Sequence, residues 1–207
     1  MLERSKHDYL PAMPRMEKQI LELIYKMGTI KTNQISRILQ IKDSQKDSFM
    51  YFVNDLYSAK DRIAITDDGY VHAPEIQEIN RNTTECIWEI IHNIEHVDLD
   101  LLDVAEKPAD YFYTFDTTRT ICDTFIDADS LYKIETLQER YYARQIVHKD
   151  DGTEDPDNGI MNVLVVNSMD VAQMIVDYYN ITMPCKICFV EHREDSPLPN
   201  IHYYSTT

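Results

Sequence analysis

Two histidines bracket a glutamate in His92-Asn-Ile-Glu95-His96, the H-x-x-E-H spacing with which one face of a helix can chelate zinc. Such a centre also needs an acidic third ligand and a walled cleft. About 130 residues around the motif leave little chain for a cleft, and the pair would sit on the exposed side of an amphipathic helix, so a solvated polar stripe is expected. Cys185-Lys-Ile-Cys188 is a lone C-x-x-C. A structural zinc site needs a second ligand pair, and Cys86, Cys122, His192 and His202 are scattered singles. Buried free thiols are expected, and the C-x-x-C thiols would face apart if a strand carries them. Asp155-Pro-Asp157-Asn-Gly159 has the texture of a calcium loop, but the glycine comes one position early and Val166 stands where a bidentate glutamate belongs, so it reads as a turn. Four glycines in the chain leave no G-x-G-x-x-G, P-loop or G-x-S-x-G. No metal, cofactor or catalytic residue is expected.

The elements that must position these residues belong to a chain of 207 residues with 43% hydrophobic and 27% charged residues, room for one large or two small folded domains. The net charge is −16, and no apolar run approaches the ~18 residues of a membrane span. The first residues lack the apolar stretch of a secretion signal, so a soluble, cytoplasmic protein is expected. The acidity is uneven. Residues 1–73 carry 11 Lys/Arg against 10 Asp/Glu, and residues 74–207 carry 9 against 26, a step from +1 to −17. It falls at Ala73-Pro74, where proline can punctuate a strand exit, giving domains 1–73 and 74–207. Lys149 to Asp157 is the densest charge cluster and reads as an exposed loop.

In the first domain Met16, Ile20, Leu23, Ile24 and Met27 recur at helical spacing before Gly28. Thr29-Ile30 makes an extended link, Thr32 is a candidate N-cap for a short second helix, and a third helix opens at Asp43 or Ser44 and runs to about Ala59, with Phe49, Phe52, Val53, Leu56 and Tyr57 on one face. Ile63-Ala-Ile65 and Tyr70-Val71-His72 flank Asp67-Asp68-Gly69 as a hairpin. GTIKTNQISRIL, the long third helix and KDRIAITDDGYV together resemble a bacterial winged helix-turn-helix domain of three helices and a β-hairpin. The resemblance implies DNA contact by the third helix. Its outward arc, Asp47, Met50, Tyr51, Asn54, Asp55 and Ser58, holds no Lys or Arg, which is poor for phosphate. Asn54 and Ser58 could read base edges, with Lys31, Arg37, Lys42, Lys46, Lys60 and Arg62 on the rim. Alternatively Met50 and Tyr51 make the domain a protein-docking or homodimerisation module.

The acidic domain opens on an amphipathic helix over Thr83 to Val97, with Glu85, Glu89, His92 and His96 opposite its apolar face. Strands are expected at Asp110 to Phe115, Thr120 to Ile126 and Leu131 to Leu137, then a short helix over Gln138 to Val147, a strand over Ile160 to Val166, a helix over Met169 to Tyr179 capped by Ser168, and strands at Lys186 to Val190 and Ile201 to Tyr204. The fold class is therefore α+β or α/β: a winged helix followed by a mixed α/β domain. This order is similar to the restriction-endonuclease-like core, and with a winged helix before it the chain resembles the replication-relaxation family and related families carried on plasmids and conjugative elements of Firmicutes. A nuclease of that class needs an Asp on one strand and Glu-x-Lys on the next, to hold Mg²⁺ and polarise water. Here Asp123 or Asp127 precedes Lys133-Ile-Glu135 in reverse order, and Glu191-His-Arg193 lies on a late strand, so no catalytic motif is complete. Fourteen tyrosines on an acidic chain suit a protein interface. The expected function is a non-enzymatic accessory or regulatory protein of a mobile genetic element that binds duplex DNA or a protein partner. The alternative is an acidic DNA mimic that occupies the basic groove of a restriction or CRISPR nuclease as an anti-defence protein.

Overall fold

Ile20, Leu23, Ile24 and Met27 share one buried side of α1 (Arg15–Met27), and Gly28 ends it with a φ of 74° and an N–H that donates to the Ile24 carbonyl at 2.9 Å. No heavy atom lies within 4 Å of where a Cβ would stand, so Gly28→Ala is opposed by backbone strain alone. It should cost about 1 kcal/mol, read as a lower denaturant midpoint of the full chain with an unchanged slope. The chain in this computed structural model is described over residues 14–76, 78–151 and 160–205, with residues 145–151 known by backbone alone.

The first unit then runs through β1 (Thr29–Lys31), α2 (Thr32–Ile38), α3 (Lys46–Asn54), β2 (Ala64–Ile65) and β3 (Tyr70–His72). Thr32 is the first residue of α2 rather than its cap. The capping position falls on Lys31, whose N–H donates to Gln34 Oε1 at 3.1 Å. The expected long third helix is three pieces: a 3₁₀ turn at Asp43–Gln45, α3, and a π turn at Asp55–Ala59. Phe49, Val53 and Leu56 are buried as expected. The wider π turn carries Tyr57 off their face, leaving it 48% exposed. In the small sheet β3 is central and antiparallel to both neighbours, Val71 standing opposite Ile30 and Ile65. The unit extends past Ala73-Pro74 to Arg81, whose guanidinium pairs with Asp68 at 3.2 Å and lies 5.6 Å from the Tyr70 ring centroid.

The second unit, from Asn82 on, is built on α4 (Thr84–His92) and a six-stranded sheet in simple chain order: β4 (Val97–Val104), β5 (Tyr111–Phe115), β6 (Arg119–Phe125), β7 (Met161–Val166), β8 (Cys185–Glu191) and β9 (Asn200–Ser205). β6, β7 and β8 run parallel and the other neighbours antiparallel. Parallel neighbours require crossovers, which α5 (Tyr132–Asp151) and α6 (Met169–Tyr178) supply. Both crossovers pack on one face, burying Ile126, Ile134, Leu164, Val166, Ile175 and Ile187 in one apolar cluster; α4 lies against β6 to β9.

Three expectations fail here. Leu131 to Leu137 is the start of α5, because Ile134, Leu137 and Tyr141 recur at helical spacing over the sheet; the expected short helix over Gln138 to Val147 is its continuation. The helix expected to reach Val97 stops at His92, where Asn93 turns back and donates from Nδ2 to the Glu89 carbonyl at 3.1 Å, and β4 follows. Lys149 to Asp151, expected in a loop, end α5. The rest of that cluster, and Asp155 to Gly159, lie outside the described residues. Among the described residues the fold is mixed α+β, with six α-helices and two sheets, and no helix is long and apolar enough to cross a membrane.

Candidate functional site

The solvent face of α3 and its π turn presents Met50 (44% exposed), Tyr51 (63%), Tyr57, Asp47 and Asn54. Tyr51 is propped by an edge-on contact with Phe52, ring centroids 5.4 Å apart. Ser58 spends its hydroxyl on the Asn54 carbonyl at 2.7 Å, so the Asn54 amide and the Asp47 carboxylate are the polar side chains of this face.

Of the cations named on the rim, Arg37 and Lys42 are exposed at α2 and the turn before α3, and Arg62 is half-buried with its N–H on the Leu56 carbonyl at 2.8 Å. Lys46 pairs with Asp43 at 2.7 Å, and Lys31 lies 4.7 Å from the Tyr70 ring centroid. Lys60 donates to the buried Glu17 carboxylate and meets Asp55 at 3.0 Å, and the hydrogen bond with Glu17 lifts the Lys60 pKa above its ordinary value. A phosphate would have to compete with these carboxylates.

The metal-like and nuclease-like candidates do not assemble. His92 ends α4 beside the Tyr203 ring, while His96 sits in a 3₁₀ turn, stacks on Phe115 and meets Asp116 Oδ1 at 2.9 Å. The two histidines therefore share no helical face, contrary to the expected stripe. Cys185 packs toward the α5/α6 cluster, whereas Cys188, an odd number of residues along β8, is buried near Glu89 and Asp123 on the other face. Cys86 and Cys188 are buried; Cys122 and Cys185 are half-buried. Lys133 and Glu135 lie on α5 instead of a strand. Lys133 Nζ donates to the Phe125 carbonyl at 2.9 Å and stands 4.0 Å from buried Asp110. Asp127 accepts from Ser130 Oγ at 2.6 Å and Asn82 Nδ2 at 3.3 Å. His192 turns to Glu85 at 2.7 Å, and Arg193 to Asp195.

One cluster escapes the sequence reading. Glu89, expected on the wet side of its helix, is buried because the sheet covers that side. Its Oε2 accepts from Tyr113 Oη at 2.6 Å, and Oε1 accepts from Asn93 Nδ2 at 2.7 Å and Tyr203 Oη at 2.8 Å. Asp123 of β6 faces it, wholly buried, with neither oxygen met by a donor from the rest of the described residues. Burial and the adjoining Glu89 carboxyl hold the Asp123 pKa well above the usual carboxylate range, and burial also raises Glu89. The available signal was Asp123 itself, which alternates with Ile121 and Phe125 on the inward side of a strand. Compared with known proteins, the chain matches no family model and no curated protein.

Proposed function

We propose that the chain is a non-enzymatic, winged-helix accessory protein that docks a basic protein partner through the outer face of α3. The winged-helix reading is supported by a three-stranded sheet ordered β1-β3-β2 against three helices; the mobile-element setting rests on the family resemblance alone. The observation that carries the proposal is the composition of that face. Its middle exposes one methionine and two tyrosines, and the cation at its start, Lys46, is paired with Asp43, which suits the aromatic centre of a protein interface better than a phosphate backbone. Asp47 exposed on that face, in a chain whose net charge is −16, favours a basic partner. The non-catalytic reading is supported by Asp123, a metal ligand in the nuclease reading, being sealed from solvent and short of donors.

A pulldown with the full chain, with and without nuclease treatment, tests this. A protein captured despite nuclease, with affinity lowered about tenfold or more by Tyr51→Ala, is the expected result. Capture that vanishes with nuclease and weakens in Arg37→Ala or Lys42→Ala would replace it with the DNA-binding reading. Capture indifferent to Tyr51 but released by salt would point to the −17 stretch as a groove mimic.

A further inference from the structure

We propose that Glu89 and Asp123 hold one proton between their carboxyl groups and so form a pH-sensitive latch that fastens the edge strand β9 to α4 and the sheet. Glu89 is the member that carries the charge, because three donors already converge on it from β5, β9 and the turn after α4. Asp123 has no such donors, so a proton on Asp123 gives that carboxyl its one productive role, donation to Glu89. Ionising both would set two anions side by side in a dry site, which the surroundings do not relieve.

Each surrounding element contributes to that balance. On α4 the neighbours are the Cys86 thiol, whose pKa burial raises, and His92 at the wet end. β5 contributes the Tyr113 and Tyr111 hydroxyls, both held neutral by burial, and β6 the Cys122 thiol. β7 offers Val163 in register with Asp123. β8 contributes the Cys188 thiol, also raised by burial, and Lys186, whose ammonium stays at the rim 5.8 Å from the Tyr203 ring centroid. Asp110 adds a further negative charge nearby, but Lys107 at 3.0 Å and Lys133 at 4.0 Å already face it. Of these neighbours His92, when protonated, brings a positive charge to bear on the pair, and it acts on Glu89 from the wet end.

The latch opens at β9 because that is the weak wall. β9 is paired on one side only, and Tyr203 is 38% exposed whereas Tyr113 is buried. An acid whose folded pKa exceeds its unfolded value stabilises the fold while protonated, so the contribution is complete in acid and is lost as pH rises through the folded value.

Hydrogen exchange on the full chain reads this directly. Protection of the Asn200–Ser205 amides, corrected for the intrinsic pH dependence of exchange, should fall about tenfold or more as the pH is raised from the ordinary carboxylate range, about 4, to about 9, while Asp123→Asn, whose amide can donate to Glu89 at any pH, should hold it within about threefold. Glu89→Gln should lower protection at both pH values. Unchanged protection in the native chain, or a parallel fall in Asp123→Asn, overturns the proposal. A carboxyl-carbon NMR titration of the native chain stands independently of the variants: one carboxyl must stay protonated above the ordinary carboxylate range, and ordinary titration of both near pH 4 overturns it.

Discussion

Truncating Ile187 to alanine should lower the stability of the second unit by about 2–5 kcal/mol, seen as a shift of its transition in the denaturant unfolding of the full chain. Ile187 is fully buried in β8 and belongs to the cluster in which α5 and α6 meet the sheet, with Ile126, Leu164, Val166 and Ile175 around it. Leu164 and Val166 sit on the interior strand β7, Ile175 on the crossover helix α6 and Ile126 just past the end of β6, a frame that cannot collapse into the space, so the loss combines transfer free energy with an unfilled cavity. Val176→Ala on exposed surface of α6 should stay within about 0.5 kcal/mol. A loss below about 1 kcal/mol for Ile187→Ala would mean that the crossovers are loosely packed. Because the cavity forms on the face opposite Cys188 and the carboxyl pair, β9 exchange should keep its pH dependence.

What the sequence revealed divides along a physical line. Elements with a strong single period were legible: α1 with its glycine stop, the hairpin, β5, β6, β7 and α6 all fall within a residue or two of expectation. Two elements depart from expectation because a short stretch of their sequence fits two periods. Leu-Tyr-Lys-Ile-Glu-Thr-Leu alternates well enough to pass for a strand, and only its continuation to Tyr141 discloses the helical spacing. In the same way Val97-Asp-Leu-Asp-Leu is a plain alternating strand, hidden because Ile94 and Val97 also extend the apolar stripe of α4. Its pairing with β5 slips between Asp98 and Asp103, where Leu102 is buried and Leu101 stays 52% exposed. Glu89 was misplaced for a different reason. Amphipathic reasoning assumes that one side of a helix is wet, and α4 is buried on most of its circumference. A buried carboxylate is decided by partners that arrive from β5, β6 and β9, and no local pattern encodes their convergence.

A second large effect is expected at Lys60, and it separates structural cations from ligand-binding ones. Lys60→Met should destabilise the first unit by about 1–2 kcal/mol near pH 7, by leaving the Glu17 carboxylate unpaired where its side chain is almost wholly buried. The figure lies below the usual cost of breaking a buried pair because the Lys60 side chain is 37% exposed and water screens the interaction. Glu17→Leu/Lys60→Met removes both charges and should recover most of the stability, since an apolar pair of similar volume fills the site without desolvation cost. If binding through the first unit is lost in the single variant and regained in the double, Lys60 acts through the packing of α1 against the π turn. A single variant as stable as the native chain yet defective in binding would instead make Lys60 a direct contact, and would return it to the rim of the DNA-binding reading.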